Sequence, residues 1–393
     1  RGKPIEKTIN KLFGCILLIL LLSGCWDVTS IEDRGFIIGV AIDMVEDASN
    51  GDIFEITNQF AVPAGLGNAS QSGSASNSYM NLSATGTSLY DITEDISNQI
   101  NKEPFYEHLK VLIISEEVVS EPGRFANVLD IFIRNRDTHR GIDVILTKDK
   151  AKDLLDINPD NEMLPSRYVY QILEKSLRET KDIRLLKLGD IHEHLLAKTS
   201  FVISEIASNE GKSIKVERGA VYQGSKEKFD GSLDNKEMFA LNLITDENVR
   251  GGIELEMKGG LAIYSIKDTK SKLEVDAKSQ ENIKLKVTIK LEGELQETFG
   301  GLILDSNETI YEFENEVEKK TKDMVEKTIK KAQEDFEADV FGFIDRLRKT
   351  DYANWKKIKD DWEKGEKYFT TSEVVIDIEA KVRADGVIDQ SKN

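Results

Sequence analysis

The chain has 393 residues, a formal net charge of −18 and two cysteines. A surface this acidic is repelled by nucleic acid and by anionic lipid, which excludes non-specific binding to either. Because both cysteines, Cys15 and Cys25, lie in the first 25 residues, the rest of the chain has no thiol for a disulfide or a cysteine-based metal site. Its length suffices for two or three domains.

The first 24 residues have the pattern of a bacterial lipoprotein signal peptide. Four basic residues precede an apolar run over 12–22, and the run ends in Leu22-Ser23-Gly24-Cys25. This run is shorter than the roughly 20 residues of a membrane-spanning helix, and its ending has the form of a lipobox. We therefore predict cleavage before Cys25 and acylation of Cys25, with at least two acyl chains for a stable hold on the membrane. An uncleaved anchor helix and an ordinary secretory signal are the alternatives.

Residues 25–199 predict an N-terminal α/β domain, in which strands alternate with helices. Apolar runs predict strands at 35–43, 52–62, 109–114 and 142–146, and helical periodicity predicts helices at 87–100, 125–132 and 163–177. A Gly/Ser loop spans 63–79 and has too few apolar residues to order itself.

Residues 200–262 predict a small middle domain rich in β-structure. Short strands at 201–206 and 214–222 alternate with turns at Asn209-Glu210-Gly211 and Asp230-Gly231, and one helix covers 236–243.

Residues 263–393 predict a C-terminal domain. Its strands are expected near 261–265, 272–277 and 283–294. Apolar residues recur from Val317 to Leu347 within one predicted amphipathic helix, which would have about 37 residues in all and be ~55 Å long. The apolar face is wider than a coiled-coil seam, which favours packing on the core over a partner coiled coil. A helix at 352–364 and a closing strand at 372–384 follow. The fold class is therefore α+β, with a mixed sheet and packed helices in each domain.

Motifs of catalysis are weak throughout the chain. Ser225-Lys226-Glu227-Lys228 fits S-x-x-K, but the accompanying motifs are out of order and Ser225 falls in a predicted hairpin turn. Gly211-Lys212-Ser213 resembles the end of a P-loop, yet Ile206 stands where its first glycine belongs. The carboxylates are numerous but scattered. The sequence predicts no catalytic residue and no cofactor.

The four histidines do not form a metal site in the sequence. His192 and His194 are two residues apart on a predicted helix, where they point to different sides, and we expect both to face solvent. His108 and His139 have no ligand at a suitable spacing. We therefore predict that the chain binds no metal.

Short motifs spaced along the chain form an ordered set. They are the lipobox with Cys25-Trp26-Asp27, the strand ending Gly39-Val40-Ala41-Ile42-Asp43, Arg218-Gly219-Ala220-Val221-Tyr222, the stretch 332–343, Tyr352-Ala353-Asn354-Trp355, Asp361-Trp362 and Asp385-Gly386. This set resembles the Ger(x)C lipoproteins, the C subunits of nutrient germinant receptors in endospore-forming bacteria. Two departures are Tyr352-Ala353, where the family has a proline before Trp355, and the long loop at 63–79.

The resemblance implies an elongated ectodomain of three domains on the outer face of the inner spore membrane. It implies a complex with the A and B subunits of the receptor and a non-enzymatic role in receptor assembly and the germination response. A solute-binding lipoprotein of an importer is the alternative. The hairpins and the long helix of the second and third segments disfavour it, because that class has two lobes of repeated strand–helix units.

Overall fold

The structure is a computed structural model that describes residues 30–45, 53–63, 78–179, 183–245, 249–257, 260–299, 302 and 304–383. These residues form a mixed α/β fold with two sheets and ten α-helices. The Gly/Ser loop predicted at 63–79 lies almost entirely outside the described residues.

The first sheet has ten strands and carries most of the N-terminal half. Its strands are β1 (Arg34–Met44), β2 (Phe54–Ala61), β3 (Tyr79–Gly86), β4 (Glu103–Phe105), β5 (Val111–Ser115), β6 (Asp143–Thr147), β7 (Leu186–Lys187), β8 (Phe201–Asn209), β9 (Ser213–Gln223) and β10 (Lys228–Leu233). The order is β10-β9-β8-β6-β5-β1-β2-β3, with β4 paired to β1 and β7 paired to β6. The central strands β1, β5, β6 and β8 are parallel, and the outer ones are antiparallel. The four strands predicted between residues 35 and 146 are confirmed.

The ten helices of the described residues are α1 (Leu89–Asn98), α2 (Glu116–Val119), α3 (Arg124–Arg134), α4 (Pro165–Glu179), α5 (Leu188–Ala197), α6 (Asn235–Thr245), α7 (Asn307–Lys331), α8 (Phe343–Thr350), α9 (Tyr352–Ile358) and α10 (Tyr368–Thr371). Helices of the N-terminal half cover the two faces of the first sheet. Alternate residues of β5 enter two different clusters, one with α1, α3 and α5 and the other with α4. The central strands are thus buried on both faces, which explains why their sequences are continuous apolar runs.

The second sheet has four strands in the order β11-β12-β13-β14. Its strands are β11 (Gly251–Met257), β12 (Gly260–Asp276), β13 (Lys284–Phe299) and β14 (Glu373–Val382). The strands predicted at 261–265 and 272–277 are one long strand, β12, which pairs with β13 from Leu261 to Asp276 through two register shifts. The predicted closing strand is confirmed as β14, and it runs parallel to β13.

The segment predicted as a middle domain, 200–262, contributes to both sheets. Strands β8, β9 and β10 extend the ten-stranded sheet, and β11 is the edge of the four-stranded sheet. Asp230-Gly231, predicted as a turn, lies inside β10 at a register shift. Gly231 has φ +90°, and a Cβ there would come within 2.5 Å of the Phe336 ring, so the glycine permits that close packing.

The prediction of one helix through Leu347 is wrong, because α7 ends at Lys331. One π-helical turn, Ala332–Phe336, follows it, and Glu337 then adopts a left-handed conformation with φ +53°. The chain re-enters a helix at α8 only after Gly342, whose φ is +80°. The apolar periodicity continues through the break since the residues on both sides of it enter the same core.

A single hydrophobic cluster connects the two sheets. It contains Val202, Val221 and Leu233 from the first sheet together with the inward residues of β12 and β13 and the buried faces of α6 and α7. The two sheets therefore share a core and meet along β8–β10 and the segment between α7 and α10.

Candidate functional site at the junction of the two sheets

The predicted lipid-attachment residue, Cys25, lies outside the described residues. Its acylation, and the signal peptide before it, therefore stay predictions. No helix among the described residues combines the length and the apolar character needed to cross a bilayer.

The two neighbouring histidines lie on α5, as the apolar spacing predicts. The expectation that both face solvent is wrong. His194 is half-buried, its ring lies 5.1 Å from the ring of Phe201, and its Nδ1 is 2.8 Å from Thr199 Oγ1. Burial lowers the pKa of His194, which favours a neutral imidazole. His192 is also half-buried. Thr199 and Phe201 follow α5 within four residues. Their contacts with His194 hold its ring partly out of solvent.

The remaining motif residues lie in turns or pack locally. Ser225 sits in the turn between β9 and β10, and Gly211-Lys212-Ser213 joins β8 to β9 without a following helix. The ring of His108 lies 5.3 Å from that of Phe36, and His139 Nδ1 accepts a hydrogen bond from the Gly141 N–H. Within the described ranges, no three His, Cys, Asp or Glu side chains are grouped as a metal site requires.

The break between α7 and α8 is organised around the buried carboxylate of Asp339. Its Oδ1 accepts hydrogen bonds from the backbone N–H groups of residues 341, 342 and 343, and its Oδ2 accepts from the Ile344 N–H at 2.8 Å and from Trp362 Nε1 at 2.9 Å. Burial raises the pKa of Asp339, and these donors oppose that rise by stabilising the charged form. Asp339 thus binds the first turn of α8 and fixes Trp362 against it.

A second buried carboxyl group, Glu363, connects this break to the first sheet. Its Oε1 accepts the Asp339 N–H at 2.8 Å, and its Oε2 accepts the hydroxyl of Ser200 at 2.7 Å. Ser200 Oγ in turn accepts the Gly224 N–H at 3.0 Å, so the contact reaches both chains at the open end of the β8–β9 hairpin. Burial raises the pKa of Glu363 to about 7. Its hydrogen-bond donors lower the pKa, and the nearby charge of Asp339 raises it.

Three further contacts cross the same junction. Gln223 Nε2 donates to the Phe336 carbonyl at 2.8 Å, and Lys331 Nζ is 2.7 Å from Glu237 Oε2. Lys331 also donates to the Ser232 carbonyl at 3.1 Å. Buried and part-buried polar contacts of this kind have one favourable arrangement, so they fix the relative position of the elements that they join.

Several cavities lie among the described residues, and two of them are formed by the first sheet and the elements packed on it. One of about 290 Å³ lies at the junction, between β8, the end of α5 and the first turns of α8. The other is an open cleft of about 1030 Å³ between α1 and α3. The rim of the cleft carries the surface ion pair Arg134–Asp130, with Arg134 Nε 2.6 Å from Asp130 Oδ2.

Sequence reasoning missed the roles of Asp339, Glu363 and Ser200. Asp339 and Trp362 did belong to the motifs that carry the family resemblance, and Gly342, which precedes α8 with a positive φ, is the local signal that could have indicated a break. The partners of Glu363 lie 24 and 163 positions away, and no local pattern relates residues so far apart.

Comparisons with known proteins match the chain over most of its length. The family described as "Spore germination protein N-terminal domain" matches residues 27–208, and "Spore germination B3/ GerAC like, C-terminal" matches residues 217–386. The boundary between the two matches falls in the β8–β9 hairpin, so the ten-stranded sheet includes strands from both.

Proteins of Bacillus subtilis (strain 168) are similar to the chain over nearly their whole length. "Spore germination protein YndF" is 26% identical over 91% of this chain and 93% of its own, and "Spore germination protein A3" is 26% identical over 95% and 97%. "Spore germination protein B3" is 24% identical over 96% and 98%.

A solved structure shows the same fold. "Crystal Structure of the GerBC protein" superposes with a TM-score of 0.58 at 20% identity, covering 91% of this chain and 99% of that one. The resemblance inferred from the sequence motifs is confirmed. With both family descriptions matched in order along the chain, the protein belongs to the Ger(x)C family of spore germination proteins.

Proposed function

We propose that the protein is a non-enzymatic, lipid-anchored C subunit of a spore nutrient germinant receptor. Cys25 would hold it on the outer face of the inner spore membrane, where it supports assembly with the A and B subunits. The observation that carries this proposal is the match of both family descriptions, in order, to 27–208 and 217–386. The curated relatives that share this length are named as spore germination proteins.

The geometry of the junction supports a scaffolding role. The buried carboxylates of Asp339 and Glu363 accept hydrogen bonds from backbone, Trp362 and Ser200 donors, and so serve to hold elements in place. A subunit that positions integral membrane partners needs such a fixed relation between its parts. No particular observation supports the importer lipoprotein, and we do not propose it.

We retain as proposals the division into a signal peptide 1–24 and domains 25–199, 200–262 and 263–393. The domain that follows Cys25 would lie nearest the membrane, because the acylated residue fixes its start at the bilayer. We therefore propose that residues 26–198 provide the main contacts with the A and B subunits.

Replacement of the anchor residue tests the proposal in spores. Cys25→Ala should leave the ectodomain folded, move the protein out of the membrane fraction and reduce the recovery of A and B subunits in co-purification. Germination in response to the receptor's nutrient should fall with it. Cys15→Ala, in the predicted signal, is the matched control and should change none of these readouts.

Two results would overturn the proposal. One is a Cys25→Ala protein that stays in the membrane fraction after a carbonate wash. The other is normal recovery of the A and B subunits with a normal germination response in spores that lack this chain. Crosslinking with mass spectrometry on native membranes tests the partner surface, and contacts confined to residues 263–393 would contradict it.

A further inference from the structure

The junction cavity is lined by both halves of the molecule. Thr199, Ser200 and His194 come from the first sheet and its helix α5, and Asp345, Arg346 and Lys349 come from α8. A molecule in this cavity would touch the two sheets at once. Its volume, about 290 Å³, is at the lower end of the usual range for small-molecule sites and suits a compact ligand.

Positive charge predominates in the lining of this cavity, although the chain as a whole carries −18. Three cations, Arg184, Arg346 and Lys349, face two acids, Asp339 and Asp345. Both acids are already engaged. Asp339 accepts five N–H donors, and Asp345 Oδ1 lies 3.2 Å from Arg348 Nη2. With three cations against two acids, the lining keeps a small excess of positive charge.

Arg346, on α8, is one of the three cations of this lining. It is half-buried, and its Nε is shielded from solvent without a hydrogen-bond partner among the described residues. A buried donor without an acceptor is destabilising, and more so when the group is charged. Its electrostatic neighbour Glu274 is half-exposed and is bonded to Lys272 at 2.8 Å. Arg346 lines the cavity, so an anion bound there would lie against its guanidinium.

The charged groups of the lining, the Arg346 guanidinium and the Lys349 ammonium, favour an anion with more than one oxygen. A guanidinium presents parallel N–H donors that match the two oxygens of a carboxylate. Lys349 adds an ammonium to the lining, whereas the hydroxyls of Thr199 and Ser200 are already bonded to His194 and Glu363. His194, with its lowered pKa, contributes a neutral imidazole and no further charge.

We propose that the junction cavity binds a small organic carboxylate through Arg346 and Lys349. Binding would join α8 to the start of β8 and so stabilise the relation between the two sheets. This inference goes beyond the proposed function, since it concerns a ligand of the ectodomain and does not depend on the lipid anchor or on the receptor partners.

Calorimetric titration of the full chain in detergent tests the site, with succinate as the probe and succinamide as its neutral isostere. Succinate should bind saturably and raise the melting temperature, because a ligand of the folded state stabilises it. Succinamide should do neither. Arg346→Gln should weaken succinate binding about tenfold or more, since a charge-assisted hydrogen bond is worth roughly 1.5–3 kcal/mol.

Two further variants keep the test decisive. Lys349→Gln changes an exposed side chain and should fold normally, with a weaker affinity for succinate. Arg134→Gln removes one positive charge from a surface ion pair on α3 and should bind succinate as the unchanged protein does. Circular dichroism confirms that each variant is folded.

Four results would overturn the proposal: no succinate binding, equal binding of succinamide, unchanged affinity in folded Arg346→Gln, or binding of inorganic phosphate in place of succinate. Each of these outcomes is independent of membrane attachment and of co-purification with other subunits. Failure here and failure of the proposed function are therefore distinguishable.

Discussion

The two sheets of this protein are buried in different ways. In the first sheet, β5 is completely buried along its five residues, and helices cover both faces. In the second sheet, β13 alternates, with Leu285, Val287 and Ile289 in the core and lysines on the open face. The first is stabilised by burial on two sides. The second buries one side and exposes a charged surface.

The open face of the second sheet is covered by ion pairs across its strands. The distance is 2.7 Å from Lys286 Nζ to Asp377 Oδ2 and 2.7 Å from Lys290 Nζ to Glu379 Oε2. It is 3.0 Å from Lys284 Nζ to Glu373 Oε2. All of these side chains are about half exposed. Surface pairs of this kind contribute little to stability, so the sheet depends on its inner face and on the junction.

The junction carries the largest expected effect. Asp339→Ala should lower the free energy of unfolding by roughly 3–5 kcal/mol, because it leaves buried N–H donors without an acceptor. Urea unfolding followed by circular dichroism measures the loss. Asp323→Ala, which removes one partner of an exposed ion pair on α7, is the control and should change stability by less than about 1 kcal/mol. Similar losses in the two variants would contradict the role given to Asp339.

The contrast between the sheets predicts a second difference. Ile113→Ala in β5, at 0% exposure, should cost about 2–5 kcal/mol through lost burial and the cavity that remains. Val375→Ala in β14, 38% exposed on the open face, should change stability by about 0.5 kcal/mol or less. Urea midpoints with an unchanged slope measure both values. A loss at Val375 comparable to that at Ile113 would show that another surface covers the open face.

Glu363→Gln should reduce the dependence of stability on pH. The pKa of Glu363 is about 7 in the folded protein, against an ordinary value of 4.5, so the folded state holds the proton more tightly. The free energy of unfolding therefore falls as the pH rises from about 4.5 to 7 and is level above that range. Without the ionisable group this component, on the order of 1–3 kcal/mol, should be absent.

Urea titrations between pH 4.5 and 8 measure this difference, since other carboxyl groups act equally in both proteins. Glu379→Gln is the matched control. The pKa of Glu379 is lowered by its hydrogen bond to Lys290, so it stabilises the fold as the pH rises, opposite in sign to Glu363. Equal pH slopes in the unchanged protein and in Glu363→Gln would contradict the buried carboxyl as the source.

The sequence predicted the fold best where burial leaves a local pattern. The apolar run 35–43 and the alternation before Ala380 gave β1 and β14, because a strand's periodicity reports the faces that it buries. The prediction of one long helix failed after Lys331, since the apolar spacing continues through the break while Glu337 and Gly342 adopt left-handed conformations. The same reason explains the missed site. The hydrogen bond between Glu363 and Ser200 joins residues that are far apart in the sequence. The cavity that Arg346 lines is likewise formed by distant segments. No short stretch of sequence contains both partners of either contact.

The smallest effect is expected on the open face. Lys286 and Asp377 are 45% and 53% exposed, and water screens their attraction. A double-mutant cycle with Lys286→Ala and Asp377→Ala should give a coupling energy of about 0.5 kcal/mol or less, and it should decrease further in 1 M salt. Urea unfolding of the four proteins measures it. A coupling well above 1 kcal/mol that persists in salt would mean that the pair is shielded from water. The second sheet would then be covered on both faces in solution, as the first one is, and the comparison between the two sheets would fail.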